Sequence, residues 1–235
     1  MISTDEEFDP FSQYAGKGPQ YRQRFVRWFH NNRLSDFSSL IDPGNTLLSV
    51  GCGNAELESK ILSTKFEDIY SVEIHRGRAK IAYEKQLSSI QGSAQLMPFS
   101  ENSFDAIVAA GTIEHLPDEK EFLKEAYRCL KPNGHLYFTI PIEVGIGGFV
   151  RYLAKNFVHP NRNDSPDGLK RYIDYTSEEF FKTVPRNKHG TFHRYYNYVY
   201  ILNDTKRTFS EVEIQGWPIT QLKQLNLILF VKADK

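Results

Sequence analysis

The sequence predicts an α/β protein with a doubly wound, mostly parallel β-sheet. Short apolar runs alternate with helix-like runs along the chain, which is the order expected when helices connect parallel strands. A glycine-rich turn with Gly51 and Gly53 follows the first apolar run, and the second run ends in an acidic residue, Glu73. With 235 residues the chain is long enough for one large domain with a sizeable core.

The expected elements follow one another without a long gap in the first two thirds of the chain. Strands are expected near residues 46–50, 68–74, 90–94, 104–110 and 135–141. Helical runs separate them, including Arg78 to Leu87, which would complete a βαβ unit, and the amphipathic run from Pro117 to Leu130. Two last strands are expected near 210–217 and 225–231, and the second is apolar enough to lie inside the sheet.

The glycine turn is typical of a site for a nucleotide-type cofactor. Gly51 and Gly53 allow a sharp turn and a close approach of the backbone to a ligand at the carboxyl end of a strand. A dinucleotide site would need a third glycine at position 56, where this chain has Glu56, whose carboxylate would repel a pyrophosphate. The chain also lacks the G-x-x-x-x-G-K-[ST] sequence of nucleoside triphosphatases.

Glu73 is a candidate for binding the two hydroxyls of a ribose. An acidic side chain roughly 20 residues after the glycine turn is the usual ribose partner in doubly wound sheets. An exposed carboxylate at a strand end is the alternative. The preceding turn and the following helical run favour the ribose site.

These residues resemble the first motifs of the class I S-adenosylmethionine-dependent methyltransferases, in particular the small-molecule group that includes quinone-biosynthesis and sugar or lipid enzymes. Gly92 to Asp105 resembles the adenine loop of this family and the start of its fourth strand. Gly111 to Pro117 and Leu130 to Phe138 look like its late motifs. The resemblance implies a transferase with a Rossmann-like sheet of seven strands, the last of them antiparallel, and S-adenosyl-L-methionine as the cofactor.

Three positions depart from the family pattern. Ser49 stands where the first motif normally opens with an acidic residue, Ala55 where it has a third glycine, and Ser93 where the adenine loop commonly has an aspartate. A serine supplies a hydrogen bond, but not the charge-assisted bond of a carboxylate. Cofactor binding is therefore expected to survive in weakened form. The implied cofactor-binding residues are Ser49, Gly51, Cys52, Gly53, Glu73, Ile74, Ser93, Ala94, Gln95 and Ala110.

Two segments of the expected single domain, residues 1–235, lie outside the sheet. Residues 1–41 form an amino-terminal helical arm that would cover the cofactor, and residues 142–209 form an insertion that would act as a lid on the acceptor side.

Between Arg151 and Arg207 there are 11 Lys and Arg against 6 Asp and Glu. This excess favours an anionic acceptor, although a solvated surface is the commoner cause of such a bias. The candidate acceptor-binding residues are Glu114, Tyr152, Arg194 and Tyr195.

Methyl transfer is an in-line displacement, so alignment of the two reactants supplies much of the rate. An oxygen or nitrogen acceptor also benefits from a base, and an imidazole suits that task. His115, which follows the fourth strand, and His193, in the insertion, are the candidates. A structural role at a helix start accounts equally well for His115, and a carbon acceptor needs neither histidine.

The composition argues against several kinds of partner and site. Lys and Arg together number 29, as do Asp and Glu, so the chain has no net charge and no nucleic-acid partner is expected. Cys52 and Cys129 support neither a disulfide framework nor a cysteine zinc site, and the dispersed histidines predict no metal site. The acidic start and the absence of a long apolar run predict a cytoplasmic protein. The resemblance implies a small-molecule acceptor. The two alternatives are a cofactor-binding subunit without activity and an RNA methyltransferase.

Overall fold

The computed structural model describes residues 20–143, 145–158, 197–221 and 226–235. The strands are Gly44–Val50 (β1), Phe66–Glu73 (β2), Ser88–Gln91 (β3), Phe104–Ala109 (β4), Leu130–Pro141 (β5), Glu211–Trp217 (β6) and Ile228–Asp234 (β7). The helices of these ranges are Gln20–Leu40 (α1), Glu56–Lys60 (α2), Arg76–Glu84 (α3), Glu119–Cys129 (α4), Gly145–Val158 (α5) and Tyr198–Thr208 (α6).

All seven strands form one sheet in the order β3-β2-β1-β4-β5-β7-β6. The first five pair in parallel, and β7 lies between β5 and β6, antiparallel to both. The prediction of a seven-stranded, mostly parallel sheet with an antiparallel last strand is therefore confirmed. The strand order reverses between β1 and β4, and ligands bind at such a switch point, beyond the carboxyl ends of the strands.

Four strands begin earlier than the sequence predicts. β1 starts at Gly44 and β2 at Phe66, each two residues early. β3 starts at Ser88 and ends at Gln91, so residues 92–94 belong to the following turn. β5 starts at Leu130 rather than near residue 135, because Leu130 already pairs with Phe104 before the register shifts. The carboxyl end of β3, which faces the expected cofactor site, therefore lies three residues earlier than predicted, whereas β5 ends at residue 141 as predicted.

Helix α1 packs on the face of the sheet that also carries α2. Phe37 lies 5.2 Å from Phe230 between ring centroids, and Phe29 meets Trp217 edge-on at 4.6 Å. The Trp217 Nε1 donates a hydrogen bond to Asp36 at 2.8 Å. Since Trp217 ends β6, and a short link joins α1 to the start of β1, α1 runs antiparallel to β1. Its first half therefore reaches the carboxyl edge of the sheet.

The opposite face of the sheet is covered by α4 and α6. Their buried side chains, among them Phe122, Leu123 and Ile201, pack in one cluster with Leu136 and Phe138 of β5. Asp118 begins α4 by accepting hydrogen bonds from the backbone N–H groups of the next turn. Within the described ranges, no helix combines the length and the apolar character that a bilayer crossing requires.

Candidate functional site

The glycine turn after β1 has the predicted geometry. The Gly51 N–H donates to the Val72 carbonyl at 2.8 Å, which ties the turn to β2. Gly51 has a φ of +68°, and a Cβ there would lie 2.6 Å from the Thr112 side chain. Gly53, with a φ of +55°, has open space where its Cβ would be. Position 51 therefore excludes a side chain for packing reasons, whereas Gly53 leaves backbone exposed to a ligand.

Glu73 is held against the turn from the end of β2. Its Oε2 accepts from the Gly53 N–H at 3.1 Å, and its Oε1 accepts from the His75 N–H at 3.0 Å. Glu73 is only 4% exposed, so it is not the exposed strand-end carboxylate of the alternative hypothesis. A carboxylate offers about four acceptor positions. Two of them remain for a ligand with two neighbouring hydroxyls.

The loop after β3 is fixed by helix α4. The Arg128 guanidinium donates to the carbonyls of Met97 and Phe99, and Glu125 accepts from the Met97 N–H at 2.8 Å. The Ser93 Oγ accepts a hydrogen bond from the Gln95 N–H at 3.2 Å, so the serine side chain stabilises the turn that contains it. The loop that carries Ser93, Ala94 and Gln95 is thus held in one position at the carboxyl edge.

Two apolar side chains are exposed beside this loop. Ile74 is 65% exposed at the end of β2, and Leu96 is 78% exposed in the loop itself. Exposed aliphatic groups at neighbouring strand ends form a surface on which a flat base can lie. Ile74 was predicted as a cofactor residue. Leu96 was not, because no sequence pattern indicates that a leucine within an apolar segment points into solvent.

The three departures from the family pattern differ in their structural consequences. Ser49 is buried, and its hydroxyl donates to the Glu58 Oε1 of α2 at 2.5 Å. Ala55 adopts the left-handed conformation with a φ of +53°, so the chain keeps the backbone that a glycine would favour. Ser93 closes the loop turn. Glu58 is a residue that sequence reasoning missed, since a glutamate in a short amphipathic helix gives no sign of burial.

The segment after β4 contributes a half-buried acid, Glu114, whose Oε2 is shielded from solvent. The Gly111 N–H donates to the Thr139 Oγ1 at 2.9 Å, which holds the chain just beyond Ala110. Glu114 lies in the 3₁₀ turn Ile113–His115. Burial raises the pKa of its carboxyl, although the positive charges of His115, Arg151 and Arg33 act to lower it. His115 itself is exposed at the same edge of the sheet.

Arg33 of α1 faces this acid. Burial lowers the pKa of Arg33 to about 10, with the Glu114 charge acting against that change. Its Nη2 lies 3.4 Å from the His30 Nδ1, and its buried Nε has no hydrogen-bond partner among the described residues. Arg33 was missed by the sequence prediction. Its spacing of four residues from both Phe29 and Phe37 is the signal that places it on the packed face of α1.

A second arginine near Glu114 is already paired. The Arg151 Nε lies 2.8 Å from the Glu143 Oε1, and the Arg151 Nη1 donates to the Leu227 carbonyl at 3.0 Å. These contacts fix the start of α5 to the carboxyl end of β5. The Arg151 Nε, like that of Arg33, is buried and has no hydrogen-bond partner among the described residues, so the ion pair with Glu143 is what distinguishes Arg151.

The predicted cofactor residues all lie at the carboxyl ends of β1 to β4 or in the turns that follow them. Burial raises the pKa of the Cys52 thiol to about 12, so this thiol stays protonated at neutral pH. The acceptor side is less complete. Tyr152 lies in α5, but its side chain is outside the described part of the chain, as are His193, Arg194 and Tyr195.

Residues 48–138 match a family model described as a methyltransferase domain. The chain is 31% identical over 122 residues to a ubiquinone/menaquinone biosynthesis C-methyltransferase of Legionella pneumophila, covering 46% of this chain and 48% of that protein. It is 35% identical over 102 residues to a sterol 24-C-methyltransferase of Gibberella zeae, covering 40% of this chain and 27% of that protein. It thus spans about half or less of the length of these relatives.

The fold matches solved structures over almost the whole chain. An S-adenosylmethionine-dependent methyltransferase from Thermotoga maritima superposes with a TM-score of 0.57 at 19% identity, over 92% of this chain and 97% of that one. At this identity the likeness shows a shared fold.

Proposed function

We propose that the chain is a class I S-adenosylmethionine-dependent methyltransferase that transfers the methyl group of S-adenosylmethionine to a small-molecule acceptor. The match of residues 48–138 to a methyltransferase-domain model supports this proposal. The observation that carries the proposal is the Glu73 carboxylate. It is buried, is oriented by the Gly53 and His75 N–H groups, and keeps acceptor positions for two ribose hydroxyls. The bound donor supplies an activated methyl group, and the protein supplies position and charge.

The strand order gives the orientation of the donor in this site. The loop after β3, with Ile74 and Leu96 beside it, suits the adenine, and Glu73 at the end of β2 suits the ribose. The methionyl part then lies over the ends of β1 and β4, near Gly51 and Ala110. Neighbouring strands are ~4.8 Å apart, so the distance from β3 to β4 is ~14 Å. That distance accommodates an extended nucleoside with an amino-acid tail.

Arg33 is suited to the carboxylate of the methionyl part. It lies on the half of α1 that reaches the carboxyl edge, and the charge of Glu56 at the start of α2 acts on its neighbour His30. The charge of Glu114 after β4 acts on Arg33 itself. Arg33 therefore lies between the segments that follow β1 and β4. A guanidinium with unfilled donors binds a carboxylate through two parallel hydrogen bonds.

The acceptor is proposed to be small and either anionic or linked to a lipid or sugar. The positive excess between Arg151 and Arg207 supports the anionic character. His115 lies at the end of the site where the methyl group would be, and it or His193 would remove a proton from an oxygen or nitrogen acceptor. Glu114, Tyr152, Arg194 and Tyr195 remain the proposed acceptor-binding residues. The named relatives act on carbon, and for a carbon acceptor both histidines would be dispensable.

A transfer assay tests this proposal against its alternatives. The protein is incubated with methyl-labelled S-adenosylmethionine and cell extract, with and without ribonuclease, and the label is followed into small molecules, lipids and RNA. Label in small molecules or lipids, retained after ribonuclease treatment, is the expected result. Label only in ribonuclease-sensitive material would indicate an RNA methyltransferase. Donor binding without any transfer would indicate a cofactor-binding subunit. Cell fractionation tests the cytoplasmic location that belongs to the same proposal.

A further inference from the structure

The two edge strands of the sheet differ in how they are protected against pairing with another strand. β6 carries Glu211 and Glu213, both exposed, and these like charges would repel a second copy of the same strand. β3 has the sequence Ser-Ser-Ile-Gln, with no charged residue and no proline, and its Ile90 is 38% exposed. Within the part of the chain that the structure describes, β3 pairs with β2 alone, so its outer side is open to another strand.

The backbone groups on the outer side of β3 belong to Ser89 and Gln91. The Gly92 N–H donates to the Glu73 carbonyl of β2 at 3.1 Å, and successive residues of a strand direct their N–H and C=O groups to alternate sides. Ile90 therefore bonds to β2, as Gly92 does. Ser89 and Gln91 each direct an N–H and a C=O away from the sheet, which is the pattern that a further antiparallel strand requires.

Helix α3 lies over β2 and β3, and one of its flanks faces the open edge. The Lys85 ammonium pairs with Glu56 of α2 at 2.8 Å, which fixes the opposite flank against α2. Arg76, Lys80 and Tyr83 follow one another at helical spacing on the flank that is turned away from α2. Tyr83 is 70% exposed there.

We infer that this edge is an interface between two copies of the chain, related by a two-fold axis that passes beside Ile90 and is perpendicular to the sheet. Antiparallel pairing of Ser89 with Gln91 of the second copy, and of Gln91 with its Ser89, fills the outward N–H and C=O groups of both strands. Ile90 then lies directly opposite Ile90 of the second copy, where the two side chains pack together. The inference concerns assembly and goes beyond the proposed function.

The position of α3 fits this pairing. Neighbouring strands are ~4.8 Å apart and α3 lies between β2 and β3, so the two copies of α3 lie two strand spacings, ~10 Å, apart. Packed helices are separated by about 8–10 Å. The axis makes the two helices antiparallel, so the start with Arg76 and Lys80 faces the end with Tyr83 and Glu84 of the second copy. Opposite charges, and a cation and an aromatic ring, thus meet across the axis.

Sedimentation velocity of the full chain, at concentrations from about 1 to 200 µM, tests the inference. One strand and one helix from each copy make a small interface, so a Kd on the order of 10 µM is expected. Ile90→Lys places two like charges on the axis and should weaken dimerisation by at least about tenfold. Ile219→Lys, the same change at an exposed isoleucine beyond β6, is the matched control and should dimerise as wild type does. Circular dichroism confirms that each variant is folded.

Cross-linking tests the register. Opposite residues without hydrogen bonds have Cα atoms ~4.5 Å apart, within the range of a disulfide, so Ile90→Cys should form a covalent dimer on mild oxidation. Wild type, in which neither cysteine is exposed, and Glu213→Cys on the other edge strand should not.

Four results would overturn the inference. They are a monomeric wild type over the whole concentration range, wild-type dimerisation of Ile90→Lys, absence of a covalent dimer of Ile90→Cys, and equal cross-linking of Glu213→Cys. If Ile90→Lys does not fold, the cross-linking of Ile90→Cys decides.

Discussion

At the scale of single residues, the two glycines of the turn are required for different reasons. Gly51 and Gly53 both have positive φ, which costs an alanine ~1–2 kcal/mol, but only a Cβ at position 51 also meets Thr112. We expect Gly53→Ala to lower the free energy of unfolding by about 1 kcal/mol and Gly51→Ala by about 3 kcal/mol. Adding Thr112→Ala to Gly51→Ala should recover part of the difference. Equal losses in urea unfolding would show that Thr112 does not restrict position 51.

Arg33 gives a second prediction at this scale. Loss of a hydrogen-bonded charge pair costs about 1.5–3 kcal/mol, so Arg33→Met should weaken S-adenosylhomocysteine binding by about 10- to 100-fold. Binding of methylthioadenosine should stay within about threefold, because that ligand has no carboxylate. Arg24→Met, an exposed arginine of the same helix, is the control. The carboxylate assignment fails if Arg33→Met weakens both ligands equally.

The residues that were predicted from sequence and those that were missed differ in kind. Gly51, Gly53 and Glu73 were predictable because the conformation of the turn and the position of the acid follow from local sequence and spacing. The burial of Glu58, the packing of Arg33 and the exposure of Leu96 were not predictable, because they depend on what lies across the fold from each residue. A buried glutamate and an exposed leucine violate the usual hydrophobic pattern, and such exceptions are found where function demands them.

At the scale of elements, helix α1 packs on the sheet through a few aromatic contacts. Phe37 is fully buried and packs against Phe230, so Phe37→Ala should lower the free energy of unfolding by about 3–5 kcal/mol. Ser35→Ala, on the exposed side of the same helix, should change it by less than about 0.5 kcal/mol. Chemical unfolding measures both. If Phe37→Ala lowered the free energy of unfolding as little as Ser35→Ala does, α1 would not be part of the cooperatively folded unit.

Asp105, near the start of β4, accepts hydrogen bonds from Thr46 of β1. We expect the titration of this acid to change the free energy of unfolding with pH. Partial burial acts to raise the pKa of Asp105, but bonds from Lys131 and Thr46 hold it at about 2. Since the folded value lies below the unfolded one, Asp105 stabilises the protein above about pH 4, and this stabilisation is lost as the pH falls towards 2. The group is partly exposed, so the effect is about 1 kcal/mol.

Asp105→Asn isolates this contribution. The wild type should be more stable than the variant at pH 6, and the difference should shrink in urea unfolding at pH 4 and again at pH 3. A difference that is constant over this range would exclude ionised Asp105 as its source.

The number and type of sheet elements could be predicted, while some of their ends could not. The alternation of apolar and helical runs was sufficient to place all seven strands. The early start of β5 was not predictable. Leu130 pairs with Phe104 before a register shift in the pairing of β4 with β5, and no local sequence pattern indicates such a shift. The approach of α1 to Trp217 also depends on a contact between residues far apart in the sequence.

At the scale of the whole molecule, the strand order explains why one edge carries the candidate site. The reversal between β1 and β4 leaves a crevice at their carboxyl ends, and the turn, Glu73, the loop after β3 and Glu114 all lie along it. Helices α1 and α5 approach the same edge through Arg33 and Arg151. The sequence indicated this arrangement through the order of its motifs. It could not indicate the acceptor, because the acceptor contacts depend on tertiary placement.

The central claim is that the site around Glu73 binds the methyl donor. Calorimetric titration with S-adenosylmethionine and S-adenosylhomocysteine tests it directly, with nicotinamide dinucleotides as the negative control. Wild type should bind both sulfur compounds, and Glu73→Ala should bind them about 100-fold more weakly, since two charge-assisted hydrogen bonds are lost. Glu67→Ala, the same change at an exposed position of β2, should bind as wild type does. Folded wild-type protein that binds neither compound at millimolar concentration, or undiminished binding by Glu73→Ala, would contradict the claim.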